Sequence, residues 1–106
     1  MFNTIKQLLG FGPKVDYAEL VRNGAVIIDV RSKGEYAGGA IPGSINIPLD
    51  QLNNSNLAKL KDKNNPIITC CASGMRSASA KGILRSKGYT TVHNGGGWYS
   101  LSSKLN

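Results

Sequence analysis

The chain has 106 residues, of which 41% are hydrophobic and 18% are charged. This size and composition predict one globular domain, and they argue against intrinsic disorder or a second domain. The formal net charge of +7 favours anionic ligands, but the basic residues are scattered and only 7% of residues are aromatic, so we expect no nucleic-acid partner. We also expect no membrane span, because no apolar run approaches the roughly 20 residues that one requires.

The first 13 residues are predicted to form a short amphipathic helix and a linker, ahead of a domain over residues 14–106. Helical spacing places four apolar residues on one face, namely Phe2, Ile5, Leu8 and Leu9. We expect this face to pack on the domain's own core, with docking to a membrane surface or a partner as the alternative. The segment lacks the long apolar stretch and the cleavage site of a secretory signal, so a reduced, cytoplasmic setting is predicted.

The next part of the chain predicts alternating helices and strands. Asp16 and Glu19 have the spacing of a helix capping box, and Asn23-Gly24 is typical of the end of that helix. The nearly continuous apolar run over residues 25–30 predicts a strand that is buried on both faces. Further along, the sequence predicts a helical turn over residues 32–36, a short strand over residues 44–48 and a polar helix that includes Leu52.

Asp29 and Arg31 stand at the end of the first predicted strand. A carboxylate and a guanidinium two residues apart can pair with each other or bond to nearby loop amides. We interpret both residues as organisers of the loop rather than as catalytic groups.

The candidate functional segment is a loop that follows a β-branched run over residues 66–69 and precedes a predicted helix over residues 78–87. If the helix begins near Ser77, the backbone N–H groups of the intervening loop can curl around one point in front of the positive helix end. The predicted binding loop consists of Ala72, Ser73, Gly74, Met75, Arg76 and Ser77. The sequence therefore predicts an anion cradle with the thiol of Cys71 at its floor.

Cys71 is the predicted nucleophile. A free cysteine has a pKa of about 8.5, so a reactive thiolate at neutral pH needs positive surroundings. The loop amides would provide them, and the guanidinium of Arg76 offers a fork of N–H groups that suits a sulfonate, sulfate or phosphate. The residues alone fit sulfur, phosphate and arsenate chemistry, and the alternative without function is that Cys71 is a buried, inert thiol.

The last third of the chain predicts a strand over residues 89–93, a glycine-rich turn over residues 94–98 and a final helix. His93 is the only histidine, and we interpret it as a solvated or packing residue rather than a catalytic one. Strands and helices that alternate in this way predict an α/β fold with a parallel sheet and helices on both faces. In such sheets ligands bind beyond the carboxyl ends of the strands, where Cys71 and Asp29 are both predicted to lie.

Five motifs of the chain also occur together, in this order and spacing, in one protein family. They are Asp29-Val30-Arg31, Glu35-Tyr36, residues 39–48, residues 71–77, and Gly88-Tyr89 with the Gly96-Gly97 turn. On these motifs the chain resembles a single-domain rhodanese of the sulfurtransferase family, from about residue 14 to residue 101. Two positions depart from the family pattern, because Ala40 stands where histidine is usual and Cys70 stands where an aromatic residue is frequent.

The resemblance implies a five-stranded parallel sheet between helices, in three α/β/α layers. It also implies that Cys71 accepts a sulfane sulfur as a persulfide, from an anionic donor such as thiosulfate, and passes it to cyanide or a cellular thiol without a metal or an organic cofactor. From Cys71 to Arg76 the loop has six residues. In this superfamily that length is associated with sulfur transfer, whereas related phosphatases and arsenate reductases have one residue more.

Three alternatives remain open. The domain can be a persulfide carrier or docking module, in which case the net charge of +7 would serve an acidic protein partner. Cys70 and Cys71 can form a dithiol redox pair with a vicinal disulfide. Phosphate or arsenate chemistry is the third alternative, which the short loop and the lack of an evident general acid near it both disfavour.

Overall fold

The computed structural model describes residues 14–54, 57 and 60–106. The helix predicted over the first 13 residues lies outside these ranges and stays a prediction. In chain order the helices and strands are α1 (Tyr17–Arg22), β1 (Val26–Asp29), α2 (Lys33–Ala37), β2 (Ile45–Asn46), α3 (Leu49–Leu52), β3 (Ile67–Cys71), α4 (Met75–Ser86), β4 (Val92–Gly97) and α5 (Trp98–Lys104). None of the described helices is long and apolar enough to cross a membrane.

The two short helices at the start of the fold begin at side-chain caps. The Asp16 carboxylate accepts a hydrogen bond of 3.0 Å from the backbone N–H of Glu19, which caps α1. Ser32 and Glu35 form a complete capping box at the start of α2, in which each side chain accepts from the backbone N–H of the other residue. Because such caps satisfy N–H groups that a helix start leaves unpaired, they explain why helices this short form at all.

The strands form one parallel sheet with the order β2-β1-β3-β4. The prediction of a parallel α/β sheet is confirmed, but within the described ranges the sheet has four strands rather than five. The residues themselves predicted four strand segments, and the fifth was implied only by the family resemblance. Within the described ranges no further segment is a strand of this sheet.

Each face of the sheet carries its own core, because successive strand residues point to opposite faces. One cluster lies on the side of α3 and α4 and includes Ile28, Leu52, Ile67, Cys71 and Leu84. The other lies on the side of α1 and α5 and includes Leu20, Ile27, Ile68, Cys70 and Leu101. The two adjacent cysteines therefore belong to different cores.

The last strand differs from its prediction. The sequence predicted a strand over residues 89–93 and then a turn, whereas β4 begins at Val92 and continues through the glycines to Gly97. A Cβ at Gly95 would lie 2.8 Å from Ile68 Cγ2 and 2.9 Å from the Thr69 carbonyl oxygen, so this position needs glycine because β3 passes so close. The glycine run thus lets β4 pack closely against the strand that carries Cys71.

Candidate active site

Cys71 is the last residue of β3, and its side chain is buried. The chain then turns through three residues, and α4 begins at Met75 with Gly74 as its N-cap. Gly74 has a φ of +104°, a left-handed conformation that side chains other than glycine rarely adopt. The helix start was predicted near Ser77, and the earlier start at Met75 brings the first turn of α4 directly over the thiol.

The sulfur of Cys71 lies among hydrogen-bond donors. The backbone N–H groups of Gly74 and Ser77 donate to it over 2.9 Å and 3.4 Å, and the Ser77 hydroxyl oxygen lies 3.5 Å away. Burial raises the pKa of the Cys71 thiol, but the bonds from the Ser77 hydroxyl and from the N–H groups of Ser77, Gly74 and Ser73 together outweigh it and lower the pKa below its ordinary value. This environment favours the thiolate, which is the nucleophilic form.

A side chain that the sequence analysis did not single out lies behind this site. The Asn94 amide oxygen, on β4, is 2.5 Å from the Ser77 hydroxyl oxygen and accepts the N–H of Gly96 over 2.9 Å. The Asn94 amide nitrogen donates to the carbonyl oxygen of Gly74 over 3.2 Å. Asn94 therefore ties the neighbouring strand to both ends of the first turn around Cys71.

Arg76, which was predicted to attract a donor anion, faces a carboxylate in this structure. Its two terminal nitrogens donate to the two carboxylate oxygens of Glu35 over 2.7 Å and 2.9 Å, and both side chains are partly exposed. The bond from Arg76 and the cap contacts with Ser32 lower the pKa of Glu35 to about 2. The guanidinium thus already has an anionic partner, with the same paired-oxygen geometry that a sulfonate or phosphate would offer.

Asp29 and Arg31 form a buried ion pair at the end of β1. The Arg31 Nη2 atom donates to the Asp29 carboxylate over 2.7 Å and to the Gly39 carbonyl oxygen over 2.7 Å, and Nη1 donates to the Glu35 carbonyl oxygen over 3.3 Å. The guanidinium carbon also lies 4.6 Å from the ring centroid of Trp98. Arg31 therefore binds the backbone within α2 and just after its C-terminal end, and α2 is the helix that presents Glu35 to Arg76.

Cys70 has the opposite environment to Cys71. It is fully buried in the core on the side of α1 and α5. Burial, assisted by the nearby negative charge of Asp29, raises the pKa of the Cys70 thiol to about 12. Since the thiol stays protonated at neutral pH and points to the other face of the sheet, Cys70 is a packing residue in this structure.

The structure thus brings Ser73, Gly74 and Ser77 of the predicted loop around the Cys71 sulfur. The Met75 side chain is 79% exposed and does not contribute to the cradle. Sequence reasoning missed Asn94, Glu35 and Trp98 as neighbours of the site. Glu35 carries the one signal that was available, since it stands in a recognised motif, but its contact with Arg76 spans 41 positions of the chain.

His93 lies apart from this constellation. It lines a shallow hollow with α1 residues such as Glu19 and Leu20, and burial together with the positive charge of Lys81 lowers the pKa of its ring. This position agrees with its interpretation as a packing residue.

Comparison with known proteins places this geometry in one family. A family model described as the Rhodanese-like domain matches residues 14–104. Thiosulfate sulfurtransferase PspE of Escherichia coli is 40% identical over 70 residues, which cover 66% of this chain and 67% of that protein. Thiosulfate sulfurtransferase GlpE of Pseudomonas fluorescens is 32% identical over 87 residues, which cover 81% of this chain and 78% of that protein.

Solved structures agree with the sequence comparison. The human single-domain sulfurtransferase TSTD1 superposes with a TM-score of 0.73 at 29% identity, over 90% of this chain and 98% of the human one. The resemblance stated from the sequence motifs is therefore confirmed. The chain belongs to the rhodanese-like domain family, and it is an enzyme of the rhodanese type.

Proposed function

We propose that the protein moves a sulfane sulfur from a small anionic donor such as thiosulfate to a thiophilic acceptor, through a persulfide on Cys71. The observation that carries the proposal is the set of N–H and O–H groups from Ser73, Gly74 and Ser77 that surrounds the Cys71 sulfur and lowers its pKa. Two relatives with similarity over most of this chain are named thiosulfate sulfurtransferase, which supports this substrate class.

In the first half-reaction the Cys71 thiolate attacks the outer sulfur of thiosulfate. A bond forms between the two sulfurs, the sulfur–sulfur bond of thiosulfate breaks, and sulfite leaves with the bonding electron pair. The persulfide that remains carries its negative charge on the outer sulfur, where the amides of the cradle can stabilise it.

In the second half-reaction a cyanide ion or a thiolate attacks the outer sulfur of the persulfide. The sulfur–sulfur bond breaks towards Cys71, which recovers its thiolate, and thiocyanate or an acceptor persulfide leaves. Because each half-reaction ends with the release of a product, the scheme predicts ping-pong kinetics. Neither step requires an external oxidant, an external reductant or a proton donor.

The surface beside the loop suits an anionic donor. An open hollow of about 480 Å³ adjoins Arg76, and its lining includes Ser32, Lys33, Pro48 and Leu49. Lys33 and Arg76 place two positive charges at this hollow against the one negative charge of Asp50, and the whole chain carries a net charge of +7. Such a field raises the local concentration of anions and speeds their encounter with the site.

Phosphoryl or arsenate chemistry has less support. It would need a general acid to protonate the leaving group. The carboxyl of Glu35, which reaches the loop through Arg76, has a pKa of about 2 and is ionised at neutral pH. Glu35 is therefore not suited to supply a proton. The carboxylate of Asp29 is bound by the buried guanidinium of Arg31.

A dithiol mechanism also has little support, because Cys70 and Cys71 belong to cores on opposite faces of the sheet. A vicinal disulfide would require both sulfurs to turn towards each other and leave these cores, at the cost of the packing that buries them.

A second candidate is a persulfide carrier or docking module that passes sulfur to a protein. Met75 in the loop and Tyr99 at the start of α5 are 79% and 77% exposed, and exposed large apolar side chains are a common feature of contact surfaces. In this candidate the persulfide forms on Cys71 in the same way, and only the acceptor in the second half-reaction differs, because it is a protein.

The test is incubation of the reduced protein with thiosulfate, followed by intact-mass and peptide-mass measurement. We expect an added mass of one sulfur atom on the peptide that contains Cys71, and its loss when cyanide is added. Cys71→Ser should abolish the adduct, and Cys70→Ser should retain it. An adduct that persists in Cys71→Ser would overturn the assignment, and an adduct that forms with negligible turnover on small acceptors would favour the carrier.

A further inference from the structure

The hydroxyl of Ser77 is shared among several groups at the site. It lies 3.5 Å from the Cys71 sulfur, 3.0 Å from the Gly74 carbonyl oxygen and 2.5 Å from the Asn94 amide oxygen. A hydroxyl has one proton to donate, so it can serve only one of these acceptors at a time. Whether the Ser77 hydroxyl donates its proton to the sulfur therefore depends on the other acceptors around it.

The amide of Asn94 is fixed in one orientation by its other bonds. Its oxygen accepts the Gly96 N–H over 2.9 Å, and its nitrogen donates to the Gly74 carbonyl oxygen over 3.2 Å. The reverse orientation would set the amide nitrogen against an N–H group and the amide oxygen against a carbonyl oxygen, which repel each other. The oxygen of Asn94 is thus the group that faces Ser77.

We infer that Asn94 is a positioning residue, which holds the oxygen of Ser77 beside the sulfur of Cys71 and accepts the Ser77 proton while Cys71 is a thiol. When Cys71 is a thiol, its S–H donates a hydrogen bond to the Ser77 oxygen, and the Ser77 hydroxyl donates a hydrogen bond to the Asn94 amide oxygen. When Cys71 is a thiolate, the Ser77 proton turns to the sulfur, while Asn94 still bonds to Gly74 and Gly96. The same hydroxyl can then stabilise both forms without moving its oxygen.

The backbone of Ser77 is held independently of Asn94. The hydroxyl of Thr69 on β3 donates to the Ser77 carbonyl oxygen over 2.8 Å, so the start of α4 stays attached to the sheet without the Asn94 side chain. Loss of Asn94 should therefore free the Ser77 hydroxyl more than it displaces the helix.

Asn94 carries no charge, and the charged and titratable groups around Cys71 belong to other residues. They are Arg76 on α4 with its partner Glu35 on α2, Cys70 on β3, and Asp29 beyond it on β1. A neutral replacement of Asn94 changes none of these charges. A shift in the titration of Cys71 would thus report hydrogen bonding rather than a change of charge.

The test measures the rate at which iodoacetamide alkylates Cys71 as a function of pH, with fragment-ion mass spectrometry of the peptide that contains both cysteines to separate Cys71 from Cys70. In Asn94→Ala the Ser77 hydroxyl loses the acceptor that competes with the thiolate for its proton, so we expect the midpoint of the profile to fall by about half a pH unit or more, which raises the thiolate fraction below the midpoint roughly threefold. Asn94→Ser, which cannot reach the same groups, should show the same fall and decides the matter if Asn94→Ala does not fold. His93→Gln is the matched control on the same strand, and its profile should coincide with that of the unmodified protein.

A double-variant cycle separates positioning from general loosening. In a Ser77→Ala background the hydroxyl is gone, so Asn94→Ala should add little further shift. A wild-type or raised midpoint in both Asn94 variants, or an equal shift in the presence and absence of the Ser77 hydroxyl, would overturn the inference. The consequence for sulfur transfer rests on the proposed function, but alkylation needs no sulfur donor. Failure of persulfide formation and failure of this inference are therefore separate results.

Discussion

Cys70 and Cys71 follow each other in the chain and end the same strand, yet their thiols differ in every property that governs reactivity. The Cys70 side chain packs into the core beneath α1 and α5, and burial raises its pKa to about 12. The Cys71 side chain points to the other face, where it is also buried, but hydrogen bonds from the loop more than offset that burial and lower its pKa.

The difference shows that burial alone does not decide the state of a thiol. Both cysteines are almost inaccessible to solvent, with exposures of 0% and 1%. Only Cys71 receives N–H groups, because the chain after β3 turns back over it at Gly74 and starts a helix there. Reactivity in this fold is thus a property of the turn and of the face to which the strand directs the side chain.

The largest expected effect comes from the removal of a donor that only Cys71 has. Ser77→Ala deletes the hydroxyl at 3.5 Å but keeps the backbone N–H, so the pKa of Cys71 should rise towards its ordinary value. A hydrogen bond to a charged group is worth about 1.5–3 kcal/mol, so at about pH 7 we expect roughly tenfold slower alkylation of Cys71. The loss should shrink as the pH rises above the ordinary thiol pKa, where both proteins are ionised.

Ser86→Ala is the matched control for this variant. Ser86 lies on the same helix, and its hydroxyl also bonds to the carbonyl oxygen three residues earlier, at 2.7 Å from Ile83. Its removal should leave the alkylation profile unchanged. If Ser77→Ala alkylates as fast as the wild type at every pH, then the hydroxyl does not contribute to the difference between the two cysteines.

A smaller effect is expected where the sulfur donor meets Arg76. Glu35→Gln keeps the length of the side chain and the oxygen that accepts the Ser32 N–H. It removes the negative charge that forms the ion pair with Arg76. Because exposed ion pairs are weak, we expect the KM for thiosulfate to fall only about two- to threefold, with kcat unchanged. The pKa of Glu35 is about 2, so the difference between the two proteins should be constant across the assay range of pH.

Glu19→Gln makes the same change of charge on α1 and should leave the KM unaltered. Steady-state rates at varied thiosulfate concentration provide the measurement. If the KM of Glu35→Gln equals that of the wild type or exceeds it, then Glu35 does not compete with the donor, and the predicted role of Arg76 loses its support.

The loop around Cys71 could be predicted from the sequence because its causes are local. A β-branched strand, a glycine and a following helix lie within about 20 consecutive residues, and each has a known backbone preference. The buried strand β1 was equally clear, since its run of apolar residues fits a parallel sheet with two covered faces.

The parts of the site that were missed depend on contacts between distant segments. Asn94 was assigned to a glycine-rich turn, because nothing in the run of glycines indicates that β3 passes close enough to require them in a strand. The pair of Glu35 and Arg76 joins residues 41 positions apart, and the stacking of Trp98 on Arg31 is also non-local. No local pattern predicts which distant side chains the sheet order brings together.

The smallest effect, and the most direct measure of the comparison, is the dependence of stability on pH. For Cys71 the folded pKa is lowered, so its thiolate stabilises the fold as the pH rises through that pKa, and the contribution is complete above the ordinary thiol pKa. For Cys70 the folded pKa is raised to about 12, so its contribution is complete below the ordinary thiol pKa and is lost as the pH rises towards 12.

The two cysteines should therefore show opposite slopes when each is compared with its alanine variant. As the pH rises towards about 9, the free energy of unfolding of the wild type should rise relative to Cys71→Ala, and from about pH 9 to about pH 10.5 it should fall relative to Cys70→Ala. Urea denaturation of the three proteins in parallel measures both differences and cancels the titration of every other group. Equal slopes in the two comparisons would mean that the fold does not distinguish the thiols, and that the reactivity of Cys71 has another cause.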